Sequence, residues 1–473
     1  MIYLHDILFA LTGQKVAPQA VSISGAVIDS RLAEKGSLFI ALPGENTDGH
    51  DYVKAAFTNG ATLAFVDREM PEDLRVLDLR PGKFDPNAAL PETPFCLRVA
   101  DSLLALQTLA AYWRGQHSLR VIGITGSVGK TSTKELTAAL LGLKYNLLKN
   151  PGNRNNEIGL PLTLLDLESE HEVAVLEMGF YVPGEIKTLC EIAQPQVGVV
   201  NNIGTVHAER AGSQETIAAG KAELVEALPA APDGVAILNW DDPWVRPMAE
   251  KTKAGVLFYG CTDEADLWAS EIRSHGLDGI SCTLTWQGES HPVRSPLLGE
   301  FSVYTILRAV AVALSEGLDW ETITQGLKVS QNALRMKQIT LPNGVTVIDD
   351  TYNAAPESTV AALELLAQLP GRRVAILGDM LELGPYEQSG HESVGQAAAK
   401  AADALILVGE RSQVTARAAI EAGLPESKVT WYPDAQSAAV PAAEYIQPGD
   451  SVLIKGSNSM RMNKIMAALK GEA

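Results

Sequence analysis

The chain has 473 residues, of which 46% are hydrophobic and 20% charged, so it can bury large cores and should divide into about three domains. Its 57 acidic and 38 basic residues give a formal net charge of −19, which repels a phosphate backbone and argues against a nucleic-acid partner. A helix needs about 18 consecutive apolar residues to cross a membrane, and no apolar run here is that long. The N-terminus lacks a signal-peptide pattern, and the four cysteines are widely spaced. We therefore expect a cytoplasmic protein without membrane insertion.

The first predicted domain, residues 1–99, mixes short strand-like runs with turns rich in Gly and Asp. The clearest runs are Ser37–Leu42 and Thr62–Val66. A Pro-rich stretch from Arg80 to Pro94 follows, and its composition is typical of a surface loop or a linker.

The second predicted domain, residues 100–333, opens with a helix that begins near Ser102. Continuous apolar runs at Val173–Leu176 and Val197–Val200 alternate with helical segments, a pattern that predicts a parallel sheet covered on both faces. A β-rich insertion at Ser281–Val293 precedes another helix near Leu307.

The third predicted domain, residues 334–473, alternates apolar runs with Ala-rich helices and so predicts a second doubly wound, Rossmann-like unit. Its runs are Val345–Ile348, Val374–Leu377, Ala404–Val408 and Val452–Ile454. The predicted fold class is therefore α/β with three domains, the central one carrying a phosphate loop.

That loop is the most informative stretch of the chain. The apolar run Val121–Ile124 leads into Thr125-Gly126-Ser127-Val128-Gly129-Lys130-Thr131, and a helix-forming sequence follows. The two glycines allow backbone amides to approach an anion, Lys130 supplies a point charge, and the Thr131 hydroxyl can bind Mg²⁺. Ile124 departs from the general pattern, which has glycine there, but the strand-before and helix-after context is retained. The sequence predicts binding of a nucleoside triphosphate.

Polar side chains follow the two apolar strands downstream of the loop. Glu177 ends the run Val173–Leu176, and His207 comes a few residues after Val197–Val200. Ligands of parallel sheets bind at the carboxyl ends of strands, so Glu177 and His207 are candidate magnesium ligands. Taken singly, Glu177 also fits a helix cap or surface charge, and His207 fits an ordinary core or surface histidine.

Three further residues are ambiguous from the sequence alone. Lys221 has the pattern of a solvated helix lysine, and Asp350 follows an apolar run at a position that also fits a simple turn. Arg335 lies just before the third domain, where a guanidinium could reach a γ-phosphate, although it also fits a surface arginine.

Together these stretches resemble the ATP-dependent Mur ligases, which build the peptide of peptidoglycan, and the resemblance covers nearly the whole chain. Asp29-Ser30-Arg31, the stretch Gly36–Glu45 and Asp48-Gly49-His50 are similar to the family's UDP-sugar-binding domain. Thr125–Thr131 is similar to its phosphate loop, and Asn153-Arg154-Asn155-Asn156 to its substrate-facing loop.

The third domain discriminates within the family. Asp349-Asp350-Thr351-Tyr352-Asn353-Ala354 resembles the type that joins D-alanyl-D-alanine to UDP-N-acetylmuramoyl-tripeptide, and 377–384 continues the match. The resemblance implies ATP and Mg²⁺ as cofactors, two small-molecule substrates and a monomer. It departs from the family at Phe301, Ser302 and Thr305, which replace a His-Asn pair and a second Asn near the adenine, and at Ala355.

The resemblance also implies a role for each candidate residue. It places Lys130, Glu177, His207, Lys221 and Arg335 in catalysis, with Mg²⁺ held by Thr131, Glu177 and His207 and with Lys221 carbamylated. ATP binding falls to Thr125, Gly126, Ser127, Val128, Gly129, Lys130, Thr131 and Asp350. Substrate binding falls to Ser30, Arg31, Asp48, Gly49, His50, Asn153, Asn155, Asn156, Tyr352 and Asn353.

Three alternatives to this interpretation can be compared with the sequence. A related ligase, adding another amino acid or glutamate, shares the phosphate loop but differs in the third-domain motif or lacks the UDP-like domain. A nucleotide-switched binding protein would use ATP without ligation and would need no second metal site; a structural scaffold would leave the polar strand ends unexplained.

Overall fold

A computed structural model describes residues 1–44, 47–329 and 336–472. The chain divides into two compact units, which are described separately below. Unit 1 comprises Met1–Ile122, Tyr145–Gly179 and Lys187–Pro195, and unit 2 comprises Gly123–Lys144, Phe180–Ile186 and Gln196–Ala473.

The helices and strands of the described residues alternate along most of the chain. Up to residue 119 they are β1 (Ile2–Tyr3), α1 (Leu4–Thr12), β2 (Ser22–Ile23), β3 (Gly25–Val27), β4 (Ser37–Ile40), α2 (Val53–Asn59), β5 (Leu63–Val66), β6 (Val76–Asp78), β7 (Phe95–Arg98) and α3 (Ser102–Gly115). From 120 to 239 they are β8 (Arg120–Thr125), α4 (Lys130–Leu141), β9 (Leu147–Lys149), α5 (Gly159–Leu164), β10 (Val173–Glu177), α6 (Glu185–Ala193), β11 (Val197–Val200), α7 (Ala208–Ala211), α8 (Gln214–Glu226) and β12 (Val235–Asn239).

The remaining elements continue the alternation after a β-rich segment. Between 240 and 329 they are β13 (Gly255–Gly260), β14 (Leu267–Ser274), β15 (Ile280–Trp286), β16 (Glu289–Ser295), α9 (Val303–Ser315) and α10 (Trp320–Val329). After residue 336 they are β17 (Lys337–Thr340), β18 (Thr346–Asp350), α11 (Pro356–Ala367), β19 (Arg373–Gly378), α12 (Glu387–Ala401), β20 (Ala404–Val408), α13 (Ser412–Glu421), β21 (Val429–Tyr432), α14 (Ala435–Tyr445), β22 (Ser451–Lys455) and α15 (Asn463–Lys470).

Unit 1 contains a five-stranded sheet in the order β3-β4-β5-β7-β6, with every pair parallel. Its strands β4 and β5 confirm the two runs predicted in the first domain. The Pro-rich stretch Arg80–Pro94 lies between β6 and β7, and β7 returns to the sheet beside β5. That stretch is therefore a loop within this sheet, and the linker interpretation is wrong. Unit 1 also contains β9 and β10, which pair in parallel.

In unit 2 the phosphate-loop strand β8 ends beside β11, where the amide of Asn201 donates to the Thr125 carbonyl. The order then runs β11-β12-β13-β14-β15-β16. The pairs from β11 to β14 are parallel, whereas β14, β15 and β16 pair antiparallel. The β-rich insertion predicted at Ser281–Val293 is thus a hairpin that extends the sheet. Its turn places Gln287 and Gly288 at positive φ, as tight hairpin turns require.

The C-terminal part of unit 2 is a six-stranded sheet in the order β17-β18-β22-β19-β20-β21, parallel except for the edge strand β17. Alternate residues of each strand enter two separate cores: Ala375 and Leu377 pack with α11 and α12, and Val374 and Ile376 pack with α14 and α15. Helices therefore cover both faces, which confirms the predicted doubly wound unit.

The structure confirms the α/β class with parallel sheets. Within the described residues, no helix is both long enough and apolar enough to span a membrane. All four cysteines lie within the described residues, and none of them forms a disulfide.

Candidate active site

The phosphate loop has the predicted order of strand, loop and helix. Strand β8 ends at Thr125, and α4 begins at Lys130 directly after Gly129, which has φ 81°. Gly126 has φ 143°, and a Cβ built on it would lie 2.6 Å from the Cβ of Asn201. Backbone conformation and space therefore both require glycine at position 126.

Two of the loop amides are already hydrogen-bonded. Ser127 N donates to the Asn202 carbonyl at 3.0 Å, and Val128 N donates to Asn202 Oδ1 at 2.9 Å. The N-terminus of α4, which begins directly after Gly129, is the part of the loop whose helix dipole attracts anions. Asn202 thus occupies the amides of Ser127 and Val128, and ATP binding by residues 125–131 stays a prediction.

Lys130 folds back over the loop. Its Nζ donates to the Gly126 carbonyl at 2.8 Å and to the Ser127 carbonyl at 3.3 Å. The ammonium thus lies at the mouth of the loop, next to the helix N-terminus that attracts anions. This is the position in which a lysine can neutralise a phosphate group.

His207 is oriented by a carboxylate that the sequence analysis did not assign to the site. Its Nδ1 lies 2.6 Å from Glu382 Oε2, and both residues have positive φ, 69° and 65°. Burial lowers the pKa of His207, and the hydrogen bond with Glu382 partly opposes that shift. A neutral His207 that donates from Nδ1 keeps the Nε2 lone pair for another ligand, and the strained backbone at both residues is typical of functional contacts.

Lys221 is not the solvated helix lysine that its local sequence suggests. It lies on α8 with no exposed surface, and its Nζ has no hydrogen-bond partner among the described residues. The nearest aromatic ring is that of Phe180, whose centroid lies 4.7 Å from Nζ. Burial, reinforced by the charge of Lys130, holds the pKa of Lys221 well below its ordinary value of 10.5 and favours the neutral amine.

Glu177 is the buried last residue of β10 in unit 1. The side chain of Asn150 brackets its backbone, accepting from the Glu177 amide at 2.9 Å and donating to its carbonyl at 2.9 Å. Asn155 Nδ2 donates to Glu177 Oε1 at 2.8 Å. The predicted substrate-facing Asn155 therefore holds the carboxylate that was predicted to bind metal.

The other two asparagines of that loop have local roles. Asn156 Oδ1 accepts from the amide of Gly159, the first residue of α5, at 2.8 Å. The Asn153 carbonyl accepts from the Asn155 amide at 2.8 Å. Contact of Asn153, Asn155 and Asn156 with substrate stays a prediction.

The predicted UDP-binding residues form two tight turns in unit 1. Arg31 makes a two-pronged ion pair with Asp29, which lowers the pKa of that carboxyl to about 2, and Ser30 is buried. Since Arg31 remains exposed, its guanidinium is accessible to a ligand as well.

His50 in the second turn is buried and held on both sides of its ring. Its Nδ1 lies 2.6 Å from Asp48 Oδ1, and its Nε2 accepts from the Asp67 amide at 3.2 Å. A Cβ on Gly49 would lie 2.7 Å from the Leu42 amide nitrogen, so this position needs glycine for space. These contacts give Asp48, Gly49 and His50 a structural role, and their contact with substrate stays a prediction.

The acidic strand end of the third predicted domain is paired with a lysine. Asp349 and Asp350 are the last residues of β18, and Asp350 Oδ2 lies 2.5 Å from the Nζ of buried Lys455. Lys455 also donates to the Asn353 carbonyl at 2.9 Å. This lysine thereby fixes the segment that carries Tyr352 and Asn353, whose side chains are exposed.

Three of the residues that depart from the family pattern lie at or just before the start of α9, whereas Ala355 directly precedes α11. Phe301 is exposed, and the Ser302 hydroxyl donates to the Leu298 carbonyl at 2.6 Å. Thr305 is buried, and its Oγ1 accepts from Arg308 at 3.1 Å. Arg308 Nη2 lies 3.2 Å from the point where a Cβ on Gly129 would stand, a proximity that the sequence pattern did not indicate.

Unit 2 thus brings together the phosphate loop, Asn202, Arg308 and, on the following segments, His207 and Lys221. Unit 1 carries Glu177 and the predicted UDP-binding residues. Arg335 lies outside the described residues. Among the residues that the structure describes, no group of three or more His, Cys, Asp or Glu side chains forms a metal centre.

The fold and the phosphate loop define an α/β nucleotide-binding protein. Models of three domains match the chain: the Mur ligase family, catalytic domain, at residues 22–79, the Mur ligase middle domain at 124–313, and the Mur ligase, glutamate ligase domain, at 334–458. A UDP-N-acetylmuramoyl-tripeptide--D-alanyl-D-alanine ligase of Synechocystis sp. is 35% identical over 479 residues, which cover 99% of this chain and 96% of that relative. The chain therefore belongs to the Mur ligase family.

Solved structures agree with this assignment. A crystal structure of MurF from Acinetobacter baumannii is 32% identical, covers 100% of this chain and 99% of its own, and superposes with a TM-score of 0.84. MurF from Thermotoga maritima in complex with ADP is 27% identical, covers 96% and 99%, and gives a TM-score of 0.78. The predicted family and fold class are confirmed, whereas the boundaries at 99/100 and 333/334 stay predictions.

Proposed function

We propose that this protein is an ATP-dependent ligase that joins D-alanyl-D-alanine to UDP-N-acetylmuramoyl-tripeptide in peptidoglycan precursor synthesis. The observation that carries this proposal is full-length similarity to a relative of that name, with 99% of this chain covered. The phosphate loop, with Lys130 at its mouth, supports ATP as the energy source.

The reaction needs ATP because a carboxylate is a poor electrophile, whose leaving group would be oxide. A carboxylate oxygen of the tripeptide attacks the γ-phosphorus, which forms an acyl phosphate and releases ADP. The amine of D-alanyl-D-alanine then attacks the acyl carbon. The tetrahedral intermediate collapses with loss of phosphate, and the amine nitrogen gives up a proton.

The chain's own contribution to the first step is electrostatic. Lys130 and the amides at the start of α4 stabilise negative charge on the transferring phosphoryl group. The buried Thr131 hydroxyl and Glu177 carboxylate are hard oxygen donors of the kind that Mg²⁺ prefers, so their chemistry fits the expected metal. When bound, Mg²⁺ would neutralise negative charge on the phosphates, and His207 would offer Nε2 as a ligand to a second ion.

Lys221 supports a further part of the proposal. Burying the Lys221 amine without a hydrogen-bond partner among the described residues costs free energy. This cost favours a modification that adds a charged, hydrogen-bonding group to the nitrogen. The neutral amine attacks CO₂ to give a carbamate and a proton. The resulting carboxylate would lie among the positive charge of Lys130 and bound metal, which compensates for its burial.

The proposal also assigns residues to each substrate. Ser30, Arg31, Asp48, Gly49 and His50 would bind the UDP part of one substrate, and Asn153, Asn155 and Asn156 would face it. Tyr352 and Asn353 would face the dipeptide, Asp350 the ATP ribose, and Arg335 the γ-phosphate. A monomer in the cytoplasm, where ATP is available, belongs to the same proposal.

Phosphate release from ATP, with each substrate omitted in turn and the product mass measured, tests the function. Turnover only in the full mixture, with a mass gain of one dipeptide, is expected. Turnover with another amino acid in place of D-alanyl-D-alanine would instead identify a related ligase. ATP hydrolysis that ignores the acceptor, or none at all, would favour the nucleotide-switched binding protein.

A further inference from the structure

Arg308 is a buried arginine that has only neutral hydrogen-bond partners, Thr305 and Tyr259, and an unpaired Nε. It lies on α9 and is 4% exposed, its Nη2 donates to Thr305, and its Nε has no hydrogen-bond partner among the described residues. No carboxylate of those residues forms an ion pair with it. A buried cation without a counter-charge costs several kcal/mol, on the order of the net stability of a domain.

Arg114 shows how the same chain satisfies a buried arginine. It is 6% exposed, and backbone carbonyls accept from it on every side: Ala193, His117, Leu119 and Gln194. Its guanidinium therefore has a structural explanation. Arg308 has no comparable set of acceptors.

The surroundings of Arg308 make its charge more unfavourable still. Its Nη2 lies 3.2 Å from the point where a Cβ on Gly129 would stand, at the positive end of the α4 dipole. Lys130 is the next residue. Tyr259 is hydrogen-bonded to Arg308, with its ring centroid 6.0 Å from the guanidinium carbon. It supplies no negative charge, because burial raises the pKa of its phenol to about 12.

We propose that Arg308 is a nucleotide-binding residue whose guanidinium pairs with the phosphate chain of the bound nucleotide at the Gly129 end of the loop. An anion there supplies the missing acceptor for Nε and the missing counter-charge. The proposal rests on the proposed function, since it assumes that the loop binds ATP and ADP.

The neighbouring substitutions agree with this role. Ser302 and Thr305 replace the asparagines that the family usually has near the adenine, and Thr305 Oγ1 instead orients the guanidinium. Ser302 and Thr305 have shorter side chains than asparagine and would contribute less binding energy at the adenine. Arg308 would supply binding energy at the phosphates instead.

Titration calorimetry of the full-length protein with ADP and with inorganic tripolyphosphate, which has no base or ribose, tests the proposal. Arg308→Met should weaken both ligands by about 10- to 100-fold, the range of a hydrogen bond to a charged group. Arg308→Lys keeps the charge but not the planar fork and should recover part of this loss. The matched control Arg114→Met should leave both affinities unchanged in the protein that remains folded.

Thermal midpoints without ligand separate a binding role from a structural one. Arg308→Met should melt at the wild-type temperature or above, because it removes an unpaired buried charge, whereas Arg114→Met should melt lower. Unchanged ADP and tripolyphosphate affinities in Arg308→Met, or a loss confined to ADP, would overturn the proposal. Wild-type protein that binds no ADP would instead remove the proposed function.

Discussion

Replacing Lys221 by Met should make the protein more stable and inactive at once. The wild-type amine is fully buried with no hydrogen-bond partner among the described residues, so the folded state disfavours the charged form, whereas the unfolded chain holds it protonated below about pH 10.4. Folding at neutral pH must therefore either release this proton or bury the charge. Met has a similar volume and neither cost.

The size of the effect follows from proton linkage. The pKa of Lys221 is lowered on folding, mainly by desolvation, so the unfolded state binds more protons between the folded and unfolded pKa values. Wild-type stability then rises with pH in that window, by about 1.4 kcal/mol per pH unit, and levels off above the unfolded value. The contact with the Phe180 ring offsets about 0.5–2 kcal/mol of the cost and only while the amine is charged.

Calorimetric melting of both proteins in CO₂-free buffer without nucleotide, from pH 7 to 10, measures this difference. Lys221→Met should melt higher at pH 7, and its advantage should shrink as the pH rises. Lys134 is a matched control, since it is equally buried but its Nζ lies 3.3 Å from Glu135. Lys134→Met should melt lower than wild type. A less stable Lys221→Met protein, or an advantage that does not change with pH, would refute this account of the buried amine.

Four more predictions concern the site. Lys221→Ala should be almost inactive and partly rescued by small carboxylates in a ligation assay, and full activity without rescue would contradict the proposed carbamate. Gly126→Ala should abolish ADP binding in calorimetry, because its Cβ would lie 2.6 Å from that of Asn201. The control Gly115→Ala should bind ADP normally, since no atom lies within 4 Å of a Cβ at that position. Equal ADP affinities of the two variants would contradict the steric argument. Glu382→Ala releases His207 and should weaken Mn²⁺ binding, measured by electron paramagnetic resonance, about 10- to 100-fold. The control Glu387→Ala loses only an ion pair with Arg411 and should bind Mn²⁺ normally. Equal Mn²⁺ affinities of the two variants would contradict a role of His207 in metal binding. Asn155→Ala removes the hydrogen bond that holds the Glu177 carboxylate and should also weaken Mn²⁺ binding. Asn156→Ala removes the hydrogen bond to the first amide of α5 and should only lower the melting temperature. The reverse result would contradict both assignments.

Apolar runs predicted the buried parallel strands well, because strands covered on both faces must be apolar throughout. The run Val197–Val200 coincides with β11, and Ala404–Val408 coincides with β20. The edge strand β21 was not predicted, since its residues Thr430 and Trp431 are exposed and break the apolar pattern. Burial on both faces, rather than β propensity, carried the signal.

The site was predicted only as far as short motifs reach. The phosphate loop could be located because strand, glycines and lysine are contiguous in sequence. His207 and Glu382 are 175 positions apart in sequence, and Val128 is 74 positions from Asn202, whose side chain accepts its amide hydrogen. Local sequence patterns therefore indicate neither contact. Arg308 and Lys221 have the spacing of ordinary helix residues. Only their burial distinguishes them, because it leaves Arg308 Nε and Lys221 Nζ without a hydrogen-bond partner among the described residues.

The fate of the carboxylate oxygen in the tripeptide tests the central claim most directly. With ¹⁸O in the tripeptide carboxylate, ligation through an acyl phosphate must transfer one labelled oxygen to the released phosphate, because the bond from carbon to that oxygen breaks when the amine attacks. We expect one ¹⁸O in each phosphate, in step with the dipeptide-extended product. Phosphate without label, formed while ATP is consumed, would contradict the ligase mechanism.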